Sequence, residues 1–201
     1  MAARAEPDAG PGAGTGRVAA VVLTGAPATG KSTLGRLLAR HLRAALVDQD
    51  VATGPLLDVV RRLVGVDDLD DARLAGLTRS ARYEVLAAVA VDNLRAGVPV
   101  VLVAPYTSER NDPAAWSRLE RRLAAAGGAP VLAWLSLDPH EILRRLRERD
   151  AARDRPKLAD PDAYLRVLAR LAAEPATPHL ALRADEDPAV LVSRVLEAVR
   201  P

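Results

Sequence analysis

The sequence predicts an α/β fold, a five-stranded parallel sheet with helices on both faces. Three observations carry that expectation. Residues 25–32, Gly-Ala-Pro-Ala-Thr-Gly-Lys-Ser, match G-x-x-x-x-G-K-[ST], the phosphate-binding P-loop. The motif sits between a nearly continuous apolar run over 17–24 and leucines at 34, 37, 38 and 42, so it reads strand, glycine loop, helix. Further along, short apolar runs alternate with helical patterns, as in a parallel sheet covered on both sides.

Residues 1–16 are rich in Ala, Gly and Pro without periodicity and read as a disordered leader before a folded domain at 17–201. After the first strand, loop and helix, residues 44–47 form a second strand, closed by Asp48-Gln49-Asp50. A helix is predicted over 55–64, and the acidic run 67–71 reads as a solvated turn. A long helix follows from Asp71 or Arg73 to Arg95, with a stripe of Leu74, Leu77, Ala81, Val85, Ala88 and Val89, stopped by Gly97. Residues 98–104 give the third strand, with Pro99 at its entrance, where a missing N–H is tolerated. Residues 131–135 give the fourth strand and 179–182 the fifth. Four Asp-Pro pairs, at 112, 138, 160 and 187, each place a capping carboxylate before a proline at the first helical position. Those aspartates are caps. The final helix, through Val190, Leu191, Val195, Leu196 and Val199, reads as packing.

Composition narrows the function classes. The 201 residues carry 28 basic and 26 acidic side chains with no separate basic run, which leaves no electrostatic footprint for nucleic acid. With no cysteine there is neither a disulfide framework nor a thiolate metal site. The apolar runs are too short to span a bilayer, and no signal peptide pattern opens the chain. A cytoplasmic protein, monomer or homodimer, is the expectation. With no Phe, the core must be Leu, Val and Ala.

The P-loop carries the chemistry of anion capture. Gly25 and Gly30 allow backbone conformations that turn successive N–H groups inward, so residues 25 and 28–33 (Gly25, Ala28, Thr29, Gly30, Lys31, Ser32, Thr33) form the nucleotide-binding set. Those donors and the positive end of the next helix hold phosphate. Lys31 reaches the β- and γ-oxygens, and the Ser32 hydroxyl ligates Mg²⁺. Ligands of such sheets lie at the carboxyl ends of the strands. After the second strand stand Asp48 and Asp50, one able to take the proton of an attacking hydroxyl, the other to hold a water of the Mg²⁺ shell.

A P-loop near the start, a D-x-D closing the second strand and a short chain resemble the gluconate kinase and shikimate kinase group of small-molecule kinases, with chloramphenicol phosphotransferase and zeta-toxin kinases as more distant relatives. The resemblance implies a P-loop kinase fold with a LID segment at about 149–158, ATP and Mg²⁺ as cofactors, and a small hydroxylated metabolite or antibiotic as acceptor. By the same resemblance Asp50 is the base and Asp48 lies near the metal. Arg79 or Arg82 binds the acceptor, LID arginines Arg149 and Arg153 stabilise the moving phosphoryl, and Asp185 lies where adenine is cupped. Shikimate kinases carry Gly-Gly-Gly after the third strand. Here Ala104-Pro105-Tyr106-Thr107-Ser108-Glu109-Arg110 replaces it, which argues against shikimate. In that segment Tyr106 is placed to stack on a sugar-like ring and Arg110 to pair with an anionic group. No acid ends the third strand, which favours a small kinase over a motor or switch ATPase. The competing readings are a zeta-toxin-like nucleotide-sugar kinase and a regulatory ATPase without an acceptor.

Overall fold

The computed structural model describes residues 16–67, 71–151 and 154–200. Five strands, β1 (Val18–Gly25), β2 (Ala45–Asp48), β3 (Val100–Val103), β4 (Gly128–Ser136) and β5 (Leu180–Arg183), form one sheet in the order β2-β3-β1-β4-β5. Every pairing is parallel, with Val22 opposite both Leu102 and Leu132. From β1 the chain turns to one side through β2 and β3, then to the other through β4 and β5. The crossovers therefore part beside β1 and open a crevice at the carboxyl edge.

Helices α1 (Lys31–Leu42), α2 (Gln49–Val64), α3 (Ala72–Arg95), α4 (Thr107–Asn111), α5 (Pro113–Ala125), α6 (Pro139–Arg149), α7 (Arg155–Ala159), α8 (Pro161–Leu171) and α9 (Pro188–Ala198) complete the described chain. One face of the sheet packs on α3 and α5 through Leu86, Ala90, Leu94, Trp116 and Leu123. The other packs on α1 and α9 through Leu34, Leu38, Leu191 and Val195. A third cluster joins α6 and α8 to the P-loop through Ile142, Leu146, Leu168 and Ala26. Helix α1 lies so near the sheet that a Cβ on Gly35 would come within 2.8 Å of Val103 Cγ2.

The four Asp-Pro pairs do cap helices: Asp112, Asp138, Asp160 and Asp187 each accept a backbone N–H at the start of α5, α6, α8 and α9. Three expectations need correction. The helix predicted over 55–64 starts earlier, and Gln49 and Asp50, expected to close the second strand, form its first turn. Asp48 is the N-cap of α2, accepting the Asp50 N–H at 3.0 Å, and Pro55 lies inside that helix. The α3 stripe is also displaced. Leu77 is 65% exposed and Val85 and Val89 face solvent, whereas Leu86, Ala87, Ala90 and Leu94 are buried. An alanine-rich helix offers several apolar stripes, and the sheet surface selects one. Finally, the segment after β3, for which no regular element was predicted, contains the short helix α4. The leader through residue 15 and most of the acidic turn lie outside the described residues.

Candidate active site

The P-loop joins β1 to α1, and its backbone explains its sequence. Gly25 adopts φ +150°, and a Cβ there would meet the Leu135 carbonyl oxygen at 2.4 Å, so β4 leaves room only for glycine. Ala28 and Gly30 also take positive φ, the left-handed turns that aim amides to one side. No side chain caps the start of α1. The Thr29 hydroxyl and the Lys31 ammonium both donate to the Ala26 carbonyl, at 2.9 and 2.6 Å. The Thr29 side chain is thus engaged inside the loop, leaving its amide for a ligand. Thr24 ties the end of β1 to the neighbouring loop by donating to the Pro105 carbonyl.

A cleft of about 660 Å³ opens over this loop. Ala28, Gly30, Lys31, Ser32 and Thr33 line one side, and Asp48 and Asp50 another. Burial holds the Lys31 ammonium down to about 8, against the pull of Asp50 and then Asp48, with Arg149 and Arg110 adding to the lowering. The Ser32 hydroxyl donates to Asp48 Oδ2 at 2.6 Å. A hydroxyl and a carboxylate so close, both on the cleft, suit Mg²⁺, which takes one or two protein oxygens and keeps phosphates and waters for the rest. Asp50 is exposed at the start of α2, and its Oδ1 accepts from Arg82 at 3.3 Å. The Arg82 Nε donates to Thr53 at 3.0 Å, which holds the guanidinium between α2 and α3.

The remaining candidates divide. Arg149 lines the cleft from the end of α6. Arg153 lies outside the described residues. Arg79, three residues before Arg82, instead lines a second cavity of about 590 Å³ between α3 and α5. Tyr106, expected to stack on a sugar-like ring, is buried against Tyr83 with ring centroids 5.4 Å apart, and borders that second cavity. Arg110 was expected to meet a substrate anion. It is 2% exposed and donates to the carbonyls of Leu171 and Ala173, at 2.8 and 2.6 Å, with its guanidinium over Trp134. A cation flanked by a buried strand end finds helix carbonyls as readily as a ligand. Asp185 forms a surface pair with Arg183 at 2.7 Å and does not line the cleft.

Sequence reasoning passed over Arg145, Asp154 and Lys157, which all line the cleft. Arg144, one residue earlier on α6, is an exposed cation paired with Glu141 and Glu148. The i, i+3 spacing of Asp154 and Lys157 was the available signal.

Fold and site together define a P-loop nucleotide-binding protein with the kinase fold. The family model described as AAA domain matches residues 21–175, and the chain belongs to that family. No curated protein matches it. Among solved structures it is similar to a protein of Chloroflexus aurantiacus J-10-fl assigned provisionally as a kinase, at 20% identity, covering 93% of this chain and 100% of that one, TM-score 0.67. It is similar to a gluconokinase from Sinorhizobium meliloti 1021, at 17% identity, covering 92% and 93%, TM-score 0.57. A third is the Mycobacterium tuberculosis APS kinase CysC in complex with AMPPNP and APS, at 19% identity, covering 90% and 97%, TM-score 0.54. No helix among the described residues is long and apolar enough to cross a membrane.

Proposed function

We propose that this protein is an ATP-dependent phosphotransferase that moves the γ-phosphoryl group to a hydroxyl of a small polar acceptor. The observation that carries the reading is that Lys31 and Asp50 face one cleft closely enough for the carboxylate to act on the ammonium. A cation for the phosphates and an acid for the incoming hydroxyl are the two groups the reaction needs. The kinds of protein named among the similar structures, a gluconokinase and an APS kinase, support an acceptor that is polar and small.

In this reading the P-loop amides and the start of α1 bind the β-phosphate. The acceptor oxygen attacks the γ-phosphorus as the bond to the bridging oxygen breaks, and ADP leaves. Asp50 takes the hydroxyl proton, while Arg82 fixes the orientation of that carboxylate. Lys31 and Arg149 stabilise charge on the equatorial oxygens, which grows in importance as water is excluded. Ser32 and Asp48 would hold Mg²⁺, which when bound offsets the charge of the triphosphate. Positioning and electrostatics supply most of the rate.

The test is a screen of hydroxylated metabolites and antibiotics for acceptor-dependent ADP release. A phosphorylated product is expected from one of them. ATP hydrolysis that no acceptor accelerates, and that serves instead to bind or release a partner, would replace this reading with that of a regulatory ATPase.

A further inference from the structure

Asp150 ends α6 and Asp154 opens α7. Asp150 takes φ +41°, and Asp154 returns against the helix the chain has just left. Asp154 stands at the N-cap of α7, where an aspartate commonly accepts a backbone N–H, yet its side chain caps nothing. Its carboxylate turns to Arg149 instead, and Oδ2 accepts Nε at 2.8 Å and a terminal nitrogen at 2.6 Å. The side chain is 1% exposed. A carboxylate withdrawn from water this far is stable only beside charge partners. Among the described residues no hydrogen bond reaches Oδ1, and the Lys157 ammonium lies 4.0 Å from it. Arg149 and Lys157 both line the phosphate cleft, and the charge of Arg149 is felt at Lys31.

We propose that Asp154 is a positioning residue: its buried carboxylate holds the Arg149 guanidinium and the Lys157 ammonium over the P-loop, so that both meet the polyphosphate of the bound nucleotide. The inference rests on the nucleotide-binding reading of this cleft. Lys31 is held by the Ala26 carbonyl and faces Asp48 and Asp50, whereas Arg149 and Lys157 repel it and each other from the ends of long stems and need a counter-charge of their own to stay in place. A carboxylate behind them offsets the repulsion and fixes the planar guanidinium in one orientation, so less side-chain freedom is lost when phosphate arrives. The sign of the effect separates this role from mere charge. An acid beside a polyphosphate repels it, so removing the acid would tighten binding unless its positioning of the cations matters more.

The experiment is calorimetric titration with AMP, ADP and AMPPNP, in magnesium, of the wild type, Asp154→Asn, Arg149→Lys and the double variant. Asp154→Asn is expected to weaken AMPPNP binding by about tenfold, the scale of losing one charge-assisted contact, with AMP affinity close to wild type. Arg149→Lys should do the same, and the double variant should bind no worse than the weaker single, because the pair acts as one unit. Unchanged or tighter AMPPNP binding in Asp154→Asn overturns the assignment. Equal losses for AMP and AMPPNP also overturn it, since they mark general damage. Should Asp154→Asn not fold, Lys157→Met carries the test: selective weakening of AMPPNP supports the proposal, and no change overturns it. A wild-type chain that binds neither ADP nor AMPPNP defeats the nucleotide reading itself. Wild-type binding with insensitive variants defeats only the role of Asp154.

Discussion

The Ser32 hydroxyl, at the start of α1, and the Asp48 carboxylate, at the end of β2, meet at 2.6 Å although β1, which leads to Ser32, and β2 are not neighbours in the sheet. The strand between them, β3, ends in Val103 and offers no acid. Asp48 therefore stands beside the P-loop hydroxyl from two strands away, and the same carboxylate starts α2. One side chain thus links the phosphate cradle to the helix that carries Asp50.

Substitutions at Asp48 separate its two roles. Asn is as good an N-cap as Asp, so Asp48→Asn should unfold near the wild-type midpoint. Its apparent Mg²⁺ affinity during turnover should fall about tenfold, the scale seen when a metal site loses a supporting group. Asp48→Ala should lose the cap as well, about 1 kcal/mol of stability. Magnesium titration of turnover and thermal melts check both, and an unchanged magnesium requirement in Asp48→Asn would remove it from the metal site.

Asp50→Asn keeps the shape and removes the proton acceptor. Acceptor-dependent turnover should fall by roughly 10²- to 10⁴-fold, while ADP affinity stays near wild type. Steady-state kinetics beside equilibrium binding make the comparison. Full turnover in this variant would exclude Asp50 as the base.

The Lys31 ammonium, held to about 8 by burial, gives nucleotide binding a pH dependence. Bound phosphate favours the charged amine and raises its value above that of the free protein. Affinity for ADP should therefore be flat below about pH 8 and decline above it, as the free amine loses its proton before binding must restore it. Titrations in a chelator from pH 7 to 10 would show the break, and Lys31→Met should abolish it.

Gly35→Ala should lower stability although alanine is the better helix former by about 1 kcal/mol. The added carbon would press on Val103 Cγ2 at 2.8 Å, and overpacking of this kind costs about 1–3 kcal/mol. Denaturant melts decide the sign, and a more stable variant would show that α1 moves off the sheet freely.

Arg110→Met keeps bulk and removes the guanidinium. Each carbonyl left alone, on Leu171 and Ala173, costs roughly 1–3 kcal/mol, so the melting midpoint should drop clearly. Trp134 fluorescence should change with loss of the overlying cation, while ADP affinity changes little. A large loss of nucleotide binding with unaltered stability would return Arg110 to the site.

Much of the fold was legible because its signals are local. The P-loop carries its own glycine at a left-handed turn, as Gly30 does at φ +91°. The Asp-Pro caps need only their own first turn. The candidate site was legible where a residue follows directly from a strand end, as for Lys31, Ser32, Asp48 and Asp50. It was illegible for Arg79, Tyr106 and Arg110, because polar and aromatic residues after a strand can turn either to a cleft or to a neighbouring element. Which they do depends on groups distant in sequence, such as Leu171 for Arg110 and Tyr83 for Tyr106.

By itself the sequence determined the parallel α/β architecture, through its alternating strand and helix patterns, and the phosphate loop and the four Asp-Pro helix starts, through signals confined to a few residues. Tertiary structure alone decided which face of α3 is buried, that Arg82 and not Arg79 reaches Asp50, and that Asp154 turns to Arg149 instead of capping α7. Those outcomes are competitions between partners brought together by folding. Burial raises the stakes of each, because a charge removed from water keeps only the partner that the packing supplies.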